Sequence, residues 1–158
     1  MPRKRILGID PGTLKAGYGV IEVENRRVSY IDCGTLVFSS KDLMHVRLGQ
    51  LAKHIDELLD EYKPDVVALE RAFVHENVAS ALKISLSRGV VMAQAGMRNI
   101  SLSEHAPARV KKVVTGKGSA KKNAVKQRVK MICKLDAAPQ EDAADAVAIA
   151  ICEGALAS

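Results

Sequence analysis

The chain has 158 residues, 47% of them hydrophobic, three cysteines and a formal charge of +6. That length is sufficient for one self-contained core burying about 70% of the unfolded surface, so residues 1–158 are expected to form a single domain. No stretch approaches the roughly 20 apolar residues of a membrane span, and the basic start Pro2-Arg3-Lys4-Arg5 leads into a strand rather than a signal-peptide segment, which argues for a cytoplasmic protein with no membrane partner. Cys33, Cys133 and Cys152 are odd in number and far apart, so they suggest neither a disulfide framework nor a zinc site and read as small buried hydrophobes.

In chain order, Arg5 to Asp10, Gly17 to Glu24 and Arg27 to Phe38 read as three strands, separated by a Pro11-Gly12 turn and a turn at Asn25. Such short connections predict an antiparallel meander. Leu48, Leu51, Ile55, Leu58, Leu59 and Tyr62 recur at helical spacing until Lys63-Pro64 stops them. Asp65 to Glu70 follows as a buried strand, expected to return parallel to the first by a right-handed crossover and to bring Glu70 to the same sheet edge as Asp10. Asn77 caps a predicted helix that runs through Ala81, Leu82, Leu86 and Val90 and fades near Gly96. Ile100 to Glu104 is a short fifth strand, and Ala108 to Val114 a short helix. Thr115 to Ser119 is a basic loop, and Ala120 to Cys133 is a helix with Val125, Val129 and Ile132 turned inward. Pro139 is expected to open a last helix that reaches Ala155. The pattern amounts to an α/β fold with a five-stranded mixed sheet, an antiparallel meander plus two parallel strands, flanked by helices.

Four carboxylates stand where this pattern would ordinarily place an apolar or neutral residue. Asp10 ends the run Ile6-Leu7-Gly8-Ile9, and Glu70 ends Val66-Val67-Ala68-Leu69. Asp142 and Asp145 lie three residues apart on the last helix, with Cβ atoms about 5–6 Å apart on one face. Asp145 is flanked by Ala143, Ala144, Ala146 and Val147. Converging carboxylates among aliphatic side chains require compensating cations or raised pKa values. Oxygen donors without thiolate or obvious histidine partners suit Mg²⁺, with Mn²⁺ as a substitute. Two such ions about 3.5–4 Å apart would support phosphodiester hydrolysis.

The charge distribution points the same way. Between Arg109 and Lys130 stand Arg109, Lys111, Lys112, Lys117, Lys121, Lys122, Lys126, Arg128 and Lys130 with no intervening acid, leaving the rest of the chain net negative. Surface helices usually mix signs, so this segment reads as a polyanion-binding surface. A glycosidase could use paired acids, but it would not need this basic segment, and the chain has no tryptophan for sugar stacking. Phe73, three residues past Glu70, is one of five aromatics and a candidate for stacking on an unpaired base. Its alternative is a packing role against the next helix. His45, His54, His75 and His105 show no ligand spacing, and only His75 shares the loop of Phe73.

Together the motifs resemble the RuvC family of bacterial Holliday-junction resolvases. The resemblance rests on Gly8-Ile9-Asp10-Pro11-Gly12 with Gly17-Tyr18-Gly19-Val20, on Leu69-Glu70 with Phe73, on Ser80-Ala81-Leu82-Lys83, on Gly116-Lys117-Gly118-Ser119-Ala120, and on Asp142-Ala143-Ala144-Asp145-Ala146. It implies an RNase H-like fold and a homodimer that nicks opposed strands of a four-way DNA junction, with RuvA and RuvB as a branch-migration complex. By position it implies that Asp10, Glu70, Asp142 and Asp145 are the catalytic metal ligands, that Phe73 stacks, and that Lys111 and Lys122 face phosphate. Thr13, Arg71 and Lys121 depart from the commoner pattern without removing a ligand. Two other readings stay open on the residues alone: a branched-DNA-binding protein without catalysis, and an ATPase fragment, since Gly8 to Thr13 also resembles the phosphate loop of actin-like kinases.

Overall fold

The computed structural model describes residues 2–72 and 77–156. The elements run β1 (Lys4–Asp10), β2 (Lys15–Glu24), β3 (Arg27–Val37), α1 (Met44–Tyr62), β4 (Val66–Glu70), α2 (Val78–Met97), β5 (Ser101–His105), α3 (Pro107–Thr115), α4 (Lys122–Ile132) and α5 (Glu141–Leu156). The strands form one sheet in the order β3-β2-β1-β4-β5. β1 to β3 are the antiparallel meander expected from their short turns, and β4 and β5 extend the sheet in parallel from β1.

Each face of the sheet buries a separate core. Leu7, Ile9, Val20, Val67 and Leu69 pack with Leu51, Ile55 and Leu59 of α1 and with Val91 and Ala95 of α2. Ile6, Ile21, Val66 and Ala68 pack on the opposite face with α5, backed by Val110 and Val114 of α3 and Val125 and Val129 of α4. The alternation of pleated side chains accounts for this split, since residues two apart share a face. α5 lies directly on the sheet, so Ala143 to Gly154 is almost wholly buried apart from Asp145.

Several boundaries differ from the sequence expectation for local reasons. α5 starts at Glu141, because the Gln140 carbonyl accepts its first helical hydrogen bond from Ala144 at 2.8 Å and leaves Pro139 outside the helix. α4 starts at Lys122, since Lys121 is extended and Ala120 N–H turns back to the Lys117 carbonyl. β5 is displaced by one residue, to Ser101–His105, because Asn99 is left-handed and Ile100 N–H still bonds the Ala95 carbonyl. Cys33 is half-exposed, unlike Cys133 and Cys152. Phe73 and His75 lie outside the described residues. Among the described residues, no helix is long and apolar enough to cross a membrane.

Candidate active site

One row of the sheet carries the site. Asp10 pairs with Gly17 of β2, which pairs with Thr35 of β3; on the other side β1 runs in register with β4 up to Ile9 and Leu69, and Glu70 pairs with His105 of β5. Asp10 and Glu70 therefore end adjacent parallel strands in the same pleat phase, on the face that α5 covers.

Glycine lets α5 reach that face. A Cβ at Gly8 would stand 2.1 Å from the Ala146 carbonyl oxygen, one at Gly17 would stand 1.9 Å from that of Asp142, and one at Gly19 would meet the Val147 side chain at 2.5 Å. Side chains at these positions would lift the helix off the sheet. Without them α5 brings Asp142 and Asp145 beside Asp10, and all four acids line a cavity of about 450 Å³ walled by α2, α3 and the start of α4. The structure thus brings together the four acids that the sequence singled out.

Crowding and burial perturb these carboxyls strongly. Asp10 is pushed up to about 8, chiefly by burial and then by the negative charges of Asp145, Asp142 and Glu70, against a smaller opposing pull from Lys122. Asp145 is raised to about 6 by burial, with Lys122 opposing and neighbouring acids reinforcing. Glu70 is raised by burial and held back by Lys111, Lys122 and Arg88. The cluster favours any added positive charge.

The basic segment divides around this cavity. Lys111 of α3 and Lys122, the first residue of α4, line it. Lys122 Nζ also donates to Glu141 Oε1 at 2.6 Å, and this exposed pair raises the lysine pKa and lowers that of the glutamate. Lys126 follows Lys122 by one turn and acts electrostatically on Glu141. Arg109, Lys112, Lys117 and Lys121 are exposed and do not line the cavity; Arg109 acts instead on Cys152, well down α5.

Arg88 is a residue that sequence reasoning passed over. It is 6% exposed and lines the same cavity from α2. Its sequence neighbours from Ile84 to Val91 mix aliphatic residues with Ser85, Ser87 and Gly89, so no local pattern marks it as Asp145 is marked.

The donor set fits hard divalent cations: carboxylate oxygens converging on one cavity, with raised pKa values that a cation would lower again. Among the described residues, no three His, Cys, Asp or Glu side chains close a ready-made metal cage. Magnesium sites that share their ions with substrate phosphates are open in this sense, with only one or two carboxylates per ion.

The sequence model of the crossover junction endodeoxyribonuclease RuvC family matches residues 6–153. The chain is 43% identical over 147 residues to crossover junction endodeoxyribonuclease RuvC of Legionella pneumophila, an alignment spanning 93% of this chain and 84% of that protein. Identity is 44% over 149 residues to the protein of the same name from Paenarthrobacter aurescens, spanning 93% and 79%. The fold superposes on Thermus thermophilus RuvC in complex with a Holliday junction substrate with a TM-score of 0.92 at 28% identity, covering 98% of this chain and 94% of that one.

Proposed function

Since the chain belongs to the RuvC family of crossover junction endodeoxyribonucleases, we propose that it is a structure-selective endonuclease that resolves Holliday junctions in DNA recombination and repair. The observation that carries this reading is the convergence of Asp10, Glu70, Asp142 and Asp145 on one cavity that Lys111 and Lys122 also line. In this proposal residues 1–158 act as a single cytoplasmic nuclease domain.

Asp10, Glu70, Asp142 and Asp145 would hold Mg²⁺, with Mn²⁺ as substitute and two ions per site. When bound, these ions supply an activated water and charge neutralisation at the phosphodiester. Asp10 and Asp145 both line the cavity, and their negative charge would admit the attacked phosphate only alongside cations. Lys111 and Lys122 then bind its non-bridging oxygens. The Lys122–Glu141 ion pair is exposed to solvent and screened, so Lys122 exchanges Glu141 for a phosphate at little cost. Val110, Val125 and Ala148 add apolar surface to the cavity lining.

Arg109, Lys112, Lys117, Lys121 and Lys126 extend the positive surface along α3 and α4 for the backbone of a junction arm. Phe73 would stack on a base unpaired at the branch point. Val78, Leu82 and Leu86 are exposed apolar residues spaced four apart on α2 and supply a face for a homodimer, whose two-fold axis would match two opposed strands. RuvA and RuvB would deliver the junction. Incubating a synthetic immobile four-way junction and its linear duplex arms with the protein in Mg²⁺ or EDTA tests the proposal: cutting of the junction alone, in Mg²⁺ alone, is expected, and an intact junction in both Mg²⁺ and Mn²⁺ would sink it.

A further inference from the structure

The Glu70–Arg71 peptide, where β4 leaves the sheet, is held at both ends. Its N–H, on Arg71, donates to the His105 carbonyl at 2.7 Å, and its carbonyl, on Glu70, accepts from Arg88 Nη1. The other branch of the same guanidinium, Nη2, donates to Glu104 Oε1 at 2.6 Å. Glu104 is the β5 residue in register with Leu69, one position before the Glu70 and His105 pair. A buried arginine fork on α2 therefore ties the last peptide of β4 to the neighbouring strand.

This arrangement fixes more than a strand end. The Glu70 side chain leaves a Cα whose following peptide plane cannot rotate while both of its hydrogen bonds persist, so Arg88, together with the His105 carbonyl, fixes the backbone from which that side chain departs. Glu70 is the last residue of β4, so no further residue of that strand continues the ladder past it. Only a planar cation with two separated donors spans the carbonyl and Glu104 together; an ammonium reaches one of them. The charge matters too, because Arg88 is one of three cations that act on Glu70.

We propose that Arg88 is a positioning residue for the cleavage reaction, which fixes the Glu70 backbone and so sets the affinity of the carboxylate cluster for divalent cations. The inference rests on the metal-dependent nuclease reading above. Groups that orient metal ligands from behind are worth about 10–100-fold in metal affinity or activity. Both branches of the Arg88 guanidinium are engaged, one by the Glu70 carbonyl and one by Glu104, so its removal acts first through Glu70.

The test compares wild type, Arg88→Met, Arg88→Lys and Glu104→Gln, each first checked by circular dichroism. Two quantities are read against Mg²⁺ concentration: cleavage of a four-way junction, and the thermal midpoint of the DNA-free protein. Arg88→Met is expected to raise the half-saturating Mg²⁺ by about tenfold or more in both readings, with junction affinity in EDTA within about twofold of wild type. Arg88→Lys is expected to recover only part of that, and Glu104→Gln to shift the midpoint in the same direction by less. If Arg88→Met does not fold, Arg88→Lys carries the expectation alone. A wild-type Mg²⁺ midpoint in the folded arginine variants overturns the role of Arg88, whereas a wild-type protein that cuts no junction in any metal overturns the nuclease reading instead.

Discussion

Replacing Asp10 by asparagine should stabilise the metal-free protein, although it removes a group central to the site. Burial and the surrounding acids lift Asp10 from 3.8 to about 8. The folded state thus holds the proton more tightly than the unfolded chain. Stability from protonated Asp10 is fully present below about 3.8 and is lost as pH rises through about 8. Four pKa units correspond to a ceiling of about 6 kcal/mol, and because Asp10 lines a cavity and is not fully buried we take roughly a third of it, about 2 kcal/mol. Asparagine has the same shape and no charge, so Asp10→Asn in EDTA at pH 8 should gain about 2 kcal/mol, or about 4–8 °C in Tm for a domain of this size. At pH 5 only the first part of the titration window has been crossed, and the gain should fall to about a third. Mg²⁺ at ten times its Kd should then stabilise wild type by about 1.4 kcal/mol and the variant by much less. Urea and thermal unfolding in EDTA at the two pH values, repeated with Mg²⁺, measure all of this. An Asp10→Asn protein no more stable than wild type at pH 8 would refute the reasoning, since it would mean that the carboxylate is not repelled in the fold.

Gly17→Ala places a methyl group 1.9 Å from the Asp142 carbonyl oxygen, so it should cost about 2 kcal/mol or more in urea unfolding and lose junction cleavage, as α5 is forced off the sheet. Glu70→Gln and Asp145→Asn should abolish cleavage while junction binding in gel shifts is kept or tightened, because each removes negative charge that repels phosphates. Lys122→Ala should change the log-log salt slope of junction binding by about one, and an unaltered slope would place Lys122 away from the DNA backbone.

The strand order and the acids were legible because both depend on local pattern. Pleated alternation and two short turns force a meander, a helix ending at a left-handed Lys63 returns the chain for a parallel strand, and a carboxylate at the end of an apolar run has few other reasons to be there. Gly8, Gly17 and Gly19 were visible as residues but not as the floor on which α5 rests, since that role depends on a helix more than 120 residues further along the chain. The basic segment was legible as charge only: Lys111 of α3 and Lys122 at the start of α4 line the cavity while Arg109 and Lys112 do not, because helical rotation between successive residues turns Arg109, Lys111 and Lys112 to different sides of α3. Arg88 stayed hidden because its partners, a main-chain carbonyl and Glu104, are brought together only by β5 and α2 packing against β4.

The most direct measurement maps the cuts made in a synthetic four-way junction by wild type and Asp10→Asn, in Mg²⁺ and in EDTA, with strand-resolved end labels. Paired nicks at symmetric positions in two opposed strands, present only for wild type in Mg²⁺, are the predicted result. Cleavage by Asp10→Asn equal to wild type, or junction binding with no cut in Mg²⁺ or Mn²⁺, would contradict the assignment of the acid cluster as the hydrolytic centre.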